Sequence, residues 1–173
     1  MSVPIVKYKL NLQEIFGETI PDDDEFKERF TQAVIDRIIE RTQSGIDKDS
    51  RPFKKYSKKY AASKGQDNVD MTVFGDMLES IDLIESTSQT ITLGFSDDQN
   101  PKAYNHTIGD TLPKRDFFGL PKKDLAELAE SFSDELKALK DINEDRDFEV
   151  AEDDLSDVIR GILQGNFDED LGI

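Results

Sequence analysis

One histidine, His106, and no cysteine stand among thirty-eight Asp and Glu residues, so any chemistry here would run through carboxylates, hydroxyls or that single imidazole. A zinc site made from paired histidines or thiolates is excluded within one chain, and so is a thiol nucleophile. With no second histidine or cysteine to work with, His106 reads as a hydrogen-bonding residue near a turn. The carboxylates cluster at Asp22 to Asp24, where helix capping explains them, and at Glu152 to Asp157, where a solvated helix face does. Neither cluster has the spacing of a calcium-binding loop. A pair of acids for hydrolysis can be drawn almost anywhere in so acidic a chain, so that pattern carries no specificity. Gly75, Gly94 and Gly109 stand alone and make no phosphate-binding loop. No catalytic, cofactor-binding or metal-binding residue is assigned, and a non-enzymatic protein is expected.

Cations are concentrated in one stretch. Between Gly45 and Gly65, Arg51, Lys54, Lys55, Lys58, Lys59 and Lys64 interleave with Phe53, Tyr56 and Tyr60. Such a segment is either a surface loop whose aromatics cap the core, or a contact for an acidic partner surface or for DNA phosphates. The formal net charge of -16 opposes general binding to nucleic acid, because that affinity comes from Lys and Arg displacing counterions.

The elements that must position these residues follow from periodicity. Val6, Tyr8, Leu10 and Leu12 alternate as a strand. Asp22, Asp23 and Asp24 precede Phe26, Phe30, Val34 and Ile38 at helical steps, which predicts an amphipathic helix ending near Ser44 and Gly45. Ile81 and Leu83 mark a second strand. After a turn at Ser86 to Gln89, Ile91, Leu93 and Phe95 mark a third, closed by the turn chemistry of Asp97 to Pro101. Leu125, Leu128, Ala129, Phe132, Leu136 and Leu139 give a second helix from Lys122 onward. The expected class is α+β: a small, mainly antiparallel sheet packed on two amphipathic helices, with an extended loop and an acidic C-terminal tail.

A chain of 173 residues has room for one compact domain, and composition places its boundary. Residues 1–140 form the α+β domain, and residues 141–173 form an acidic extension with a possible short helix. In that extension Leu155, Val158, Ile159, Ile162 and Leu163 make an apolar stripe, which can bury itself on its own domain or dock on a neighbouring subunit; the intervening acidic linker favours the neighbour. No apolar run approaches the length of a membrane span, and Met1 to Leu12 lacks the apolar region of a signal peptide, so no membrane partner is expected. The absence of cysteine fits synthesis in a reducing cytoplasm.

The most distinctive stretch runs from Ala103 to Leu125. Its Tyr104, His106 and Gly109 lead to Pro113, Arg115, Phe117, Phe118, Gly119 and Leu120, an order and spacing that resembles the virion-morphogenesis or tail-completion family of tailed bacteriophages. Upstream, Phe53, Tyr56, Ser57, Tyr60 and Lys64 are similar to that family's loop pattern. Gly75, Leu78, Ser80 and Ile81 are similar to its following step. The likeness covers about residues 30 to 140, and the N-terminal strand segment and the tail after Lys140 depart from it.

What the resemblance implies is a structural subunit of a neck or tail-completion ring, made in the host cytoplasm and located in the virion. Its partners would be copies of itself, a portal- or adaptor-side protein and a tail-terminator-side protein. Genome DNA would pass nearby without sequence-specific binding, and an acidic lumen would keep phosphates from sticking. The sheet edges, the basic loop and the tail would carry the contacts, with Arg51, Phe53, Lys55, Lys58, Tyr60, Arg115, Phe118, Leu155, Ile159 and Ile162 as subunit-interface candidates. For Arg115 the planar guanidinium can clamp a carboxylate or carbonyl of a neighbour, or pair within its own chain. A second function class stays open: a small acidic binding module or DNA-mimic regulator that captures a basic protein.

Overall fold

The computed structural model describes residues 3–67, 69–71, 75–110 and 112–144. The chain divides into two compact units, Met1–Ser133 and Asp134–Ile173, and the first holds the sheet and most of the helices. The fold is α+β, as the periodicity predicts. Among the described residues, no helix is long and apolar enough to cross a membrane.

Three strands form one antiparallel sheet in the order β1-β3-β2, with β1 at Tyr8–Asn11, β2 at Ile81–Ser86 and β3 at Thr90–Phe95. Central β3 pairs on both sides, Tyr8 opposite Leu93 and Ile81 opposite Phe95. Its near-complete burial follows from that position: Ile91 and Leu93 are fully buried. Edge strand β2 is mostly exposed and carries a register shift between Leu83 and Glu85. An acidic, bulged edge of this kind resists pairing with another strand, which weighs against β2 as an assembly contact.

Helix α1 (Leu12–Phe16) follows β1 directly, a helix that strand alternation through Leu12 does not foresee. Asn11 ends the strand and starts the helix, its side chain accepting from the Glu14 amide at 3.2 Å. Helix α2 (Asp24–Gln43) begins at the acidic run: the Asp23 carboxylate accepts from the Phe26 amide at 2.7 Å. Asp22 and Asp24 hold the buried Lys27 ammonium at 2.6 and 2.9 Å. The apolar face of α2, Phe26, Phe30, Val34 and Ile38, is wholly buried and packs toward β2 and α6 (Lys122–Ser131). Phe16, Phe26, Phe30 and Phe132 cluster there with ring centroids 5.1 to 5.8 Å apart.

The stretch from Gly45 to Gly65 is more ordered than an extended loop. Residues 46–52 close a tight turn bridged between Ile46 and Pro52, and Lys58–Lys64 forms helix α3. Helix α4 (Asp76–Glu79) is one turn before β2, and helix α5 (Asn100–Ile108) occupies the region whose turn residues hid it. The second predicted amphipathic helix is divided: α6 ends at a turn on Phe132, and residues 133–144 are helical again. The predicted stripe from Leu155 to Leu163 lies outside the described residues.

Candidate functional site: a cationic groove beside Arg115

Four separated segments converge on one solvent-open groove of about 550 Å³. The first comes from the entrance to α3. Ser57 caps that helix, its hydroxyl accepting from the Tyr60 amide at 3.3 Å, and this sets Tyr56 and Tyr60 edge to face with centroids 4.8 Å apart. One turn further on, Lys64 reaches back to the Tyr56 hydroxyl at 3.2 Å and also pairs with Asp70. The second segment contributes Met71, Gly75 and Met77, the third Lys102, Asn105 and His106 of α5, and the fourth Leu112, Pro113 and Arg115.

The close return of the fourth segment onto α5 depends on Gly109. It ends the helix with a φ of 74°, its amide donating to Asn105 at 3.0 Å. A Cβ at this position would lie 2.6 Å from Lys114 Cβ and 3.0 Å from Lys114 backbone atoms, so only glycine fits. The chain can then run back beside the helix, where the Arg115 amide donates to the His106 carbonyl at 2.8 Å. The Arg115 guanidinium carbon lies 5.3 Å from the Tyr56 ring centroid, a cation over an aromatic face.

Arg115 is 5% exposed and its Nε is buried without a hydrogen-bond partner. Burial lowers its pKa, and the influences favouring its charge come from Tyr56 and Tyr60 rather than from a carboxylate. Beside it, His106 Nδ1 is also buried and unpartnered. Burial and then the Arg115 charge push the His106 pKa down to about 4, so the imidazole is neutral at pH 7. Lys55 and Lys102 are exposed lining residues, Lys102 donating to Gln99 at 2.8 Å. The described lining contains three cations and no carboxylate, in a chain of strong negative charge. The arrangement suits binding of an anionic group against apolar walls. Among the described residues, no group of three His, Asp or Glu converges as a metal site.

Of the interface candidates, Lys55, Tyr60 and Arg115 meet in this groove. Lys58 borders a shallower recess beside α3. Arg51 is exposed and folded back onto Asp47 at 3.2 Å and Asp49 at 2.5 Å. Phe53 and Phe118 are core residues, 8% and 9% exposed, and Phe118 packs on Phe95 at 4.5 Å and Tyr8 at 5.9 Å. Leu155, Ile159 and Ile162 lie outside the described residues. Sequence reasoning passed over Met71, Met77, Lys102, Asn105 and Leu112, which only the fold brings together. It also passed over Arg41, whose Nη2 donates to the Phe117 carbonyl at 2.5 Å. Arg41 thus clamps a carbonyl within its own chain.

Comparison of the chain with family models, with curated proteins and with solved structures finds no match in any of the three.

Proposed function

We propose that this chain is a structural subunit of a tailed-bacteriophage neck or tail-completion ring, joining head to tail without catalysing a reaction. The reading rests on the resemblance, and one observation supports it beyond letter order. Twelve of the residues that carry the resemblance fall into two sets, one in the core and one at the groove. Phe117, Phe118, Leu120, Leu78 and Ile81 are buried and hold the sheet and helices together. Tyr56, Ser57, Tyr60, Gly75, His106, Pro113 and Arg115 come from three stretches of sequence and line one groove. A chance match has no reason to gather distant positions around a single surface feature, whereas an assembly subunit needs such a feature for a neighbour.

Imaging intact particles tests the proposal. Density for this chain between head and tail, together with unjoined heads and tails when its gene is disrupted, is the expected result. Purified particles that lack the chain would overturn it.

A further inference from the structure

The groove beside Arg115 combines two requirements that few ligands meet together. Its cations, Arg115, Lys55 and Lys102, call for negative charge. Its walls at Met71, Met77 and Leu112 call for aliphatic surface. The buried, unpartnered Nε of Arg115 marks a donor that the fold itself does not use. A nucleic-acid backbone meets only the first requirement and would leave the apolar wall without a partner. A peptide in which carboxylates alternate with aliphatic residues meets both.

This chain carries such a peptide. In residues 152–163, Glu152, Asp153, Asp154 and Asp157 lead into Leu155, Val158, Ile159, Ile162 and Leu163, with Arg160 as the one basic residue. We infer that in the assembled ring the groove of one copy receives residues 152–163 of the neighbouring copy, carboxylates on Arg115, Lys55 and Lys102 and aliphatic side chains on Met71, Met77 and Leu112. This rests on the ring reading above. A head-to-tail contact of this kind uses each groove and each acidic segment once, and it closes when the rotation between copies closes. Fixed neighbours also hold the segment at high effective concentration, so a modest individual affinity suffices.

The test uses the full chain, prepared in light and heavy isotopic forms, mixed, allowed to assemble and treated with a carbodiimide that joins lysine to carboxylate. The expected products are mixed-label peptides linking Lys55 or Lys102 to carboxylates between Glu152 and Asp157. Arg115→Gln should lower their yield about tenfold, as loss of one partner in a desolvated charge contact does. Because Arg115 is buried, a variant that leaves the groove intact guards against misfolding: Asp153→Asn/Asp154→Asn/Asp157→Asn should weaken self-association, measured by sedimentation, by a similar factor. Same-label links alone, links from these lysines only to other carboxylates, no links, or unchanged self-association of the triple variant would each overturn the inference. Those results leave the neck reading standing if the chain is found in particles; absence from particles overturns the neck reading whatever the links.

Discussion

Two arginines, almost equally buried, are used differently: Arg41 holds the 113–120 segment from α2, and Arg115 belongs to that segment. Arg41, in the last turn of α2, is 7% exposed, and its guanidinium holds the Phe117 carbonyl. Burial lowers its pKa, while Asp124, Asp47 and Asp49 supply a compensating field. Arg115 is 5% exposed, stacked on Tyr56, and has no such acids acting on it. Both keep buried donors without a partner, Nε and Nη1 on Arg41 and Nε on Arg115. What differs is that Arg41 is anchored on a carbonyl and has acids favouring its charge, whereas Arg115 has aromatic neighbours and lines an open groove. Residue type and burial are shared, so the surroundings alone separate a structural cation from a binding one.

The strongest way to collapse the contrast is to remove what both regions share. Phe117 is fully buried, packs on Phe95 and His106, and offers its carbonyl to Arg41. Phe117→Ala should cost about 4 kcal/mol in urea unfolding, the scale for a large buried aromatic. The contrast itself is read from Arg41→Met against Arg115→Met. The first should cost about 3 kcal/mol, because it strands a buried carbonyl, and the second less than about 1 kcal/mol, because it loses the cation–aromatic contact with Tyr56 and no side-chain hydrogen bond to a backbone carbonyl. Equal losses would mean that Arg115 also holds the fold.

Acid sharpens the groove side. The folded-state pKa of His106 lies near 4, below the ordinary value of 6.5, so between those limits the unfolded chain binds the extra proton. Stability should therefore fall as pH drops from about 6.5 to 4, by about 2 kcal/mol after allowance for partial exposure. His106→Gln should remove that part of the pH dependence, seen as the difference between two unfolding series. A purely local effect belongs to the far end of α2, where Asp23→Ala should cost about 1 kcal/mol through loss of the Phe26 amide cap. Its effect should add to that of Arg41→Met, since the two sites are separated by roughly the length of the helix.

Strict alternation in β3 and the acid-capped, four-residue steps of α2 made the sheet and main helix legible, because one apolar face dictates each pattern, although β3 is buried on both faces. Short helices were not, since they bury too few residues to show a period. Yet signals for two of them were present. Asn100 and Pro101 have turn chemistry, but Pro at the first helical positions is also a helix start. Tyr56, Tyr60 and Lys64 recur every four residues, the period that places them together at α3. Arg115 could be singled out by type, but its company could not: Met71 and Lys102 reach the groove through tertiary folding alone. Arg41 reads in sequence as an ordinary basic residue in a last helical turn, and nothing local betrays its contact with a carbonyl 76 residues away.

Gly109 carries a consequence for how this sequence can change over time. A partly exposed helix end is usually permissive ground, where substitutions drift freely. Here backbone and Lys114 close that freedom, because any side chain would push away the strand of chain that delivers Arg115. The position couples inheritance of a surface residue to the shape of the groove: lineages that keep the groove must keep a hydrogen where every other amino acid has a carbon.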